Sequence, residues 1–306
     1  MTGWLYQLLK VLGRIFGLWM VRTTAWTIAC GYFLFARTRV RNSLAFYQAL
    51  FPGQSGWRYH AHTFKQFQAF THLYIDRFRF SGESSLQCET EGDEYLQALS
   101  RAGTGCVLLM SHLGSWEAAA RLSLAQGHRL MIYMGRRETE HIEREHKQDL
   151  IHAGIKLVTV SPSESSPLDV IDGMRFIRDG GFVALSADRF WTPGQRTVAA
   201  TFLGRQVALP AAPYALALAT GVAVCAFFCI RTGLSSYRII WTEPLTLHAK
   251  TREERETMIQ AGAAYYLREL ETMLRRYPYQ WGNFEPFLGE PVIRLNGTDS
   301  PTRARM

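Results

Sequence analysis

Short apolar runs alternate with stretches of helical composition through the middle of the chain. CVLLM (106–110) is a continuous apolar run behind Gly105, the pattern of a strand buried on both faces. WEAAARLSLAQ (116–126) predicts a helix stopped by Gly127, and LMIYM (130–134) a second strand. A charged, helix-forming run extends from Glu138 to His152, and IKLVTV (155–160) reads as a third strand. A Pro/Ser-rich turn follows, with Ser166 as cap and Pro167 at the first position of a helix reaching Arg178. GFVALSA (181–187) is the fourth strand. Beyond a loop containing Pro193 and Gly194, TVAATFLG predicts a strand or edge strand, and AAPYALALATG a helix ended by Gly221. VAVCAFFCI and YRIIWTEPL, separated by a Gly-containing turn, predict a hairpin. The last helix opens with Thr251 and Glu254 in capping-box spacing and runs to about Arg276. Strands alternating with helices predict an α/β fold, a mostly parallel open sheet with helices on both faces.

The pattern changes upstream. From Ile15 to Ala36 the chain is apolar apart from Arg22, and Trp4, Trp19 and Trp26 punctuate it. A membrane span needs about 20 apolar residues, and a central Arg costs roughly 2.5–3.5 kcal/mol on insertion scales. The segment therefore reads either as a marginal span or as a basic amphipathic helix lying at the headgroup level. A buried core helix with a few surface cations is the alternative. The division this suggests is a membrane-associated segment at 1–41, an α/β domain at 42–295 and a disordered tail at 296–306. The helical run around Phe64, Phe67, Phe70 and Tyr74 could rest on lipid or pack on the sheet.

Charge sharpens that picture. The 306 residues carry 34 Lys+Arg against 26 Asp+Glu, a net +8, and the first acidic residue is Asp76. Before it stand Lys10, Arg14, Arg22, Arg37, Arg39, Arg41, Arg58 and Lys65, which account for the whole excess. A nucleic-acid-binding domain would spread its basic stripe over the folded body among base-reading polar groups. Here the cations sit among Leu and Trp, so the expected partner is a bilayer and not nucleic acid. Arg37, Arg39 and Arg41 directly after the apolar run favour a body on the cytoplasmic side of the membrane, while Lys10 and Arg14 vote the other way. No small-residue cleavage site follows the run, so a cleaved signal peptide is not expected. Five cysteines without a C-x-x-C pair, three of them in apolar runs, suit buried reduced thiols better than a metal site.

In open α/β sheets ligands bind beyond the carboxyl ends of the strands. After CVLLM comes SHLGSWE (111–117), and after GFVALSA come Asp188 and Arg189. His112 and Glu117 are five residues apart, too far round a helix to meet if both are helical. They can meet if His112 sits in the turn leaving the strand and Glu117 in the first turn of the next helix, with Gly114 making the bend and Ser115 as cap. Glu117 would then accept the Nδ1 proton of His112 and leave Nε2 to take a proton from a hydroxyl. A capping His and an ordinary first-turn Glu fit the same spacing. Arg136 and Arg137, after LMIYM, could hold a phosphate or simply open a helix as solvated charges. Phe190 and Trp191 could line an apolar channel or belong to the core.

SHLGSWE matches the H-x4-D/E motif of the lysophospholipid acyltransferase superfamily. With ALSADRF, TFLGRQVALPAAPYALALATGVAVCAFF and YPYQWGNFEPF in the same order, residues 1–290 resemble the bacterial lipid A biosynthesis (lauroyl/myristoyl) acyltransferases. The resemblance implies acyl transfer from acyl carrier protein, or from acyl-CoA in sister families, to a hydroxyl of a membrane lipid acceptor, with neither cofactor nor metal. It implies His112 as general base, Glu117 as orienting acid and Asp188 as a substrate-positioning group. Arg189 departs from the Asp-Gln pair commoner in the lipid A enzymes; Asp-Arg occurs among relatives that acylate other lipids.

Two other classes compete. A Ser/His hydrolase would use Ser111 or Ser115, but there is no G-x-S-x-G elbow. A non-catalytic lipid-binding protein would need only the N-terminal segment.

Overall fold

The computed structural model describes residues 18–80, 87–135, 150–152, 154–160, 167–191, 194–233 and 236–291. Arg136, Arg137, the start and middle of the helix expected at Glu138–His152, the Ser166 cap and the tail from Asn296 lie outside them.

Among the described residues, helices α1 (Leu18–Phe35), α2 (Arg37–Leu50) and α3 (Gly56–Phe80) come first. Strand β1 (Gln87–Glu91) and helix α4 (Asp93–Arg101) lead to β2 (Cys106–Gly114), α5 (Trp116–Ala125), β3 (Leu130–Gly135) and β4 (Lys156–Val160). Helix α6 (Pro167–Arg178), β5 (Phe182–Ser186), β6 (Thr197–Phe202), β7 (Arg205–Pro210) and α7 (Ala212–Thr220) follow. The chain then forms β8 (Ala223–Gly233), β9 (Ser236–Trp241), β10 (Leu245–Thr246) and α8 (Arg252–Arg276). Thr251 and Glu254 build the expected capping box, Ser115 caps α5, and Gly221 ends α7 in the left-handed region.

Eight strands form the main sheet in the order β1-β9-β8-β2-β5-β3-β4, with β10 on β8. Five of them, β8, β2, β5, β3 and β4, run parallel. β9 returns antiparallel on β8, which is the expected hairpin, and β1 runs parallel to β9. The apolar runs explain why both faces are covered. In β2, Val107 and Leu109 point into one core with α2, α7 and α8, while Cys106, Leu108 and Met110 point into another with α4 and α5.

Three features go beyond what the sequence pattern specified. TVAATFLG does not join the main sheet: β6 pairs with β7 alone, through a two-residue turn at Leu203 (φ 50°) and Gly204 (φ 72°). Positive φ at both positions is the tight hairpin geometry, and the alternating exposure of β6 suits a strand with one wet face. The polar β1, QCETE, is a strand only because an edge position asks for one neighbour. Among the described residues no helix is long and apolar enough to cross a membrane. The apolar run of 15–36 does not form one continuous helix through the following arginines: α1 ends at Phe35, and α2 starts afresh at Arg37.

Helix α1 instead packs along α3. Ala25 and Ala29 face inward, and Phe33 meets Phe64 and Phe67 edge-on at 5.3 and 6.2 Å. Phe67 in turn packs on Phe284, so the N-terminal helices touch the C-terminal segment that follows α8.

Strand β2 runs four residues past the predicted end, and its register on β8 shifts between Met110 and Gly114. Gly114 makes this possible. Its φ is +78°, and a Cβ there would lie 1.9 Å from the Cys229 carbonyl oxygen. Gly114→Ala should therefore cost about 2–4 kcal/mol of stability, read as a lower thermal midpoint. An unchanged midpoint would show that this bulge is not under the constraint described.

Candidate active site

His112 lies near the end of β2, within that register shift, and Asp188 lies two residues beyond β5. The neighbouring strands set their separation. Met110 is paired with Ser186, so both chains pass the end of the sheet in register, and the Ala187 N–H donates to the Met110 carbonyl at 2.9 Å.

The Asp188 carboxylate is fully buried and receives a set of converging donors. The His112 backbone N–H donates to Oδ2 at 2.8 Å, the His112 ring to Oδ1 from Nδ1 at 2.7 Å, and the Trp281 indole N–H to Oδ2 at 3.0 Å. Ser186 Oγ lies 3.4 Å from Oδ1, and the Asn283 amide donates to the Asp188 carbonyl at 3.3 Å. Burial by itself would raise the acid's pKa. The His112 charge and hydrogen bonds, with the Trp281 bond, outweigh it and hold the pKa at about 2. Behind the carboxylate, burial and then the Asp188 charge push the Tyr214 and Tyr266 hydroxyls upward, so both stay protonated.

A carboxylate only accepts, so Nδ1 of His112 must carry the proton. In the neutral ring Nε2 is then a lone pair, and among the described residues nothing is hydrogen-bonded to it. The side chain is 26% exposed, so the ring is not sealed inside the core. The arrangement can accept a proton from a hydroxyl and hold the resulting imidazolium against a buried anion.

The geometry revises the assignment made from spacing. The Nδ1 partner is Asp188, 76 residues away, and not Glu117. Glu117 is buried in the first turn of α5, favourably placed against the helix dipole. The reason is the bulge: His112 is still in the strand and turns toward β5, not in a turn facing the following helix. Arg189 is half-buried beside Asp188, Phe190 is exposed, and Trp191 stacks on Tyr133 at 6.5 Å against the end of β3. Neither candidate serine occupies a nucleophile position: Ser111 Oγ is buried and accepts from the Leu113 N–H, and Ser115 Oγ caps α5.

Trp281 and Asn283 are site residues that spacing could not reveal, although both sit in the YPYQWGNFEPF block. Trp281 is buried between Phe46 at 4.9 Å and Phe287 at 5.2 Å. Its segment is tied to the sheet, since the Gly282 N–H donates to the His112 carbonyl at 2.7 Å and Leu113 bridges Trp281. Three bonds from the N-terminal helices hold it from the other side: Gln66 to the Trp281 carbonyl, Tyr47 to that of Pro278 and Asn42 to that of Phe284.

Trp281→Phe keeps most of the ring volume and removes one donor to the buried charge, a loss of about 1.5–3 kcal/mol. The pH dependence has a defined sign. Asp188 is held below its ordinary 3.8, so its stabilising contribution is complete above that pH and fades as pH falls toward about 2. Trp281→Phe should shift acid unfolding to higher pH. Identical acid midpoints for the variant and the wild type would remove the indole from the account.

The comparisons with known proteins can now be set beside this geometry. The family model described as bacterial lipid A biosynthesis acyltransferase matches residues 4–287. A phosphatidylinositol mannoside acyltransferase of Mycobacterium tuberculosis (strain ATCC 25618 / H37Rv) is 28% identical over 139 residues, which cover 45% of this chain and 42% of the relative. The protein of the same name from strain CDC 1551 / Oshkosh matches to the same extent. The matched stretch thus spans less than half the length of these relatives.

Proposed function

Since the chain belongs to the bacterial lipid A biosynthesis acyltransferase family, we propose that it moves a fatty acyl group from a thioester to a hydroxyl of a lipid or glycolipid, with His112 as general base and Asp188 as its orienting acid. The observation that carries this reading is the His112 ring, held through Nδ1 by a buried carboxylate while its side chain stays 26% exposed.

The steps follow from that nitrogen. The acceptor hydroxyl attacks the thioester carbonyl while Nε2 takes its proton. The tetrahedral intermediate then collapses, the carbon–sulfur bond breaks, and the leaving thiolate takes the proton back from the imidazolium. No covalent enzyme intermediate is formed. Asp188 stays ionised throughout and stabilises the imidazolium. General-base help of this kind is worth about 10²–10⁴-fold in rate.

The acceptor is proposed to be a phosphate-bearing glycolipid or phospholipid and not lipid A itself, in line with Arg189 and with the name of the mycobacterial relatives. Arg189, with Arg136 and Arg137, is assigned to anionic groups of the acceptor or of the donor arm. The donor is proposed to be acyl carrier protein. A cleft of about 660 Å³ between α7 and α8, lined by Arg196, Arg252, Arg255 and Glu256, offers cations to an acidic carrier; Arg196 is paired with Glu256. Acyl-CoA is the alternative donor.

The reaction is proposed to take place at the cytoplasmic face of the inner membrane, with α1 and the start of α3 lying on the lipid. Trp19, Trp26, Leu34 and Phe35 of α1 and Trp57 of α3 are all exposed, and Phe35 is 83% exposed. Arg37, Arg39, Arg41 and Arg58 lie beside them, and Arg39 and Arg58 stand over the Tyr32 and Trp57 rings at 5.3 and 5.6 Å. Amphipathic aromatics among cations suit a headgroup layer.

Membranes carrying the protein, given labelled acyl carrier protein and a lipid extract, should transfer label to lipid. His112→Ala should lower the rate by about 10²–10⁴-fold, and Asp188→Asn should cost far more than Glu117→Gln. Retention of more than a few percent of the rate by His112→Ala would remove it from the base role. On vesicles, replacing Arg37, Arg39 and Arg41 together by Gln should weaken binding to anionic lipid by about a hundredfold, at about 1 kcal/mol per cation. Equal wild-type binding to neutral and anionic vesicles would contradict the placement on lipid.

A further inference from the structure

The strand that carries His112 loses its register within the site. Met110 of β2 pairs with Phe227 of β8 and Gly114 pairs with Cys229, so Ser111, His112 and Leu113 together stand opposite the single residue Phe228. A regular ladder cannot serve every amide of such a stretch, and each buried one needs another partner. The His112 N–H donates to Asp188 Oδ2 at 2.8 Å, and the Leu113 N–H donates to Ser111 Oγ at 3.1 Å. Resting on the acyl-transfer reading above, we propose that Ser111 is a positioning residue for the base: its Oγ fixes the peptide group after His112 and so holds the imidazole on Asp188 while Nε2 takes up its proton.

Two peptide planes flank the His112 Cα, and both are anchored. The plane before it is held at the His112 N–H by Asp188. The plane after it contains the His112 carbonyl and the Leu113 N–H. That carbonyl accepts from the Gly282 N–H at 2.7 Å, and the Leu113 N–H donates to Ser111 Oγ. The first plane sets φ of His112 and the second sets ψ. The Cα–Cβ bond is thereby given one direction, from which the ring reaches Asp188 Oδ1 at 2.7 Å. Of these anchors Ser111 is the one on β2 itself, whereas Asp188 follows β5 and Gly282 follows α8.

Burial makes the oxygen hard to replace. Ser111 and Leu113 are both buried, so water does not stand ready to take the amide. A buried N–H left without an acceptor is costly, and the chain relieves that cost by rotating the peptide toward another one. Rotation of the plane between His112 and Leu113 carries the imidazole with it. The Gly282 bond on the same plane limits the movement, so the expected effect is a misplaced ring and not an unfolded site. A displacement of about 1 Å at a reacting group can lower a rate by about a hundredfold.

The same placement accounts for a serine directly before the base that is not a nucleophile. Its Oγ is turned along the strand to Leu113 and is buried, while the His112 ring presents Nδ1 to Asp188. A hydroxyl committed in this way serves the histidine through the backbone.

Two measurements on the full chain in detergent micelles test this role, each made well below the thermal midpoint of every variant. The first is transfer from acyl carrier protein, as the varied substrate, to a fixed lipid extract. Ser111→Ala should lower kcat by about tenfold to a hundredfold and change KM by less than about twofold. Ser111→Thr, which keeps a hydroxyl on Cβ, should recover most of the loss. A Ser111→Ala kcat equal to that of the wild type, or a Ser111→Thr variant no better than Ser111→Ala, would overturn the proposal. The second follows the His112 Nδ1 proton by NMR in histidine-labelled protein. Its signal should broaden and move upfield in Ser111→Ala and stay near the wild-type position in Ser111→Thr; an unchanged signal in Ser111→Ala would overturn the proposal, because a serine that only stabilises the bulge leaves the ring where it is. Should Ser111→Ala fail to fold, Ser111→Cys, nearly equal in volume to serine and a weak acceptor, replaces it in both measurements with the same expected results. If the wild type transfers no acyl group, the acyl-transfer reading fails, and the NMR comparison still decides whether Ser111 holds the ring.

Discussion

The Asp188 carboxylate is a buried charge, and the structure around His112 is organised to keep it. Taking an anion out of water is costly unless several donors replace the water it loses. The donors here come from parts of the chain far apart in sequence: the backbone and ring of His112 on β2, and the indole of Trp281 beyond α8. One group thereby sets the rotamer of the His112 ring, its tautomer and the docking of the C-terminal segment. The same interaction couples site and stability, because the loss of any one donor leaves the charge less well supported.

The N-terminal helices belong to this arrangement through contacts of their own with the C-terminal segment. Asn42, Tyr47 and Gln66 bond to carbonyls of the 278–284 segment, and Phe46 packs on Trp281. The aromatic, basic face of α1 and α3 is thus connected through short contacts to the indole that braces Asp188. An acceptor that stays embedded in a bilayer needs a base whose position is fixed relative to the lipid surface. On the proposed placement, helices α2 and α3 would supply that link, since they reach the 278–284 segment directly.

Much of the fold was legible in the sequence because it follows from local pattern. The buried parallel strands announce themselves as unbroken apolar runs, and the capping box at Thr251 and Glu254 and the glycine stop at Gly221 fall where their chemistry placed them. His112 was legible too, as a polar group at the carboxyl end of a buried strand. Its partner was not. Asp188 meets His112 because β5 lies next to β2, and strand order is a property of the whole sheet that the spacing of two residues cannot express. Glu117 looked the better partner because it is near in sequence, but the bulge at Gly114 turns the ring away from the reach that spacing suggested. Trp281 was hidden for the same reason, since an indole in an aromatic-rich segment reads as core until its N–H is seen to face a carboxylate. The edge strand β1 and the separate β6–β7 hairpin are set by tertiary neighbours and tight-turn geometry, which composition reports only weakly.

The central claim is about one proton: in the neutral His112 ring it sits on Nδ1, facing Asp188, and Nε2 is a lone pair. Nitrogen-15 NMR of the histidine rings, with His112 assigned by its absence in a His112→Gln variant, measures this directly. The account predicts a protonated Nδ1 with its proton shifted downfield by the carboxylate, and an unprotonated Nε2. A neutral ring protonated on Nε2 would contradict it, because that nitrogen could then take no proton from an acceptor hydroxyl.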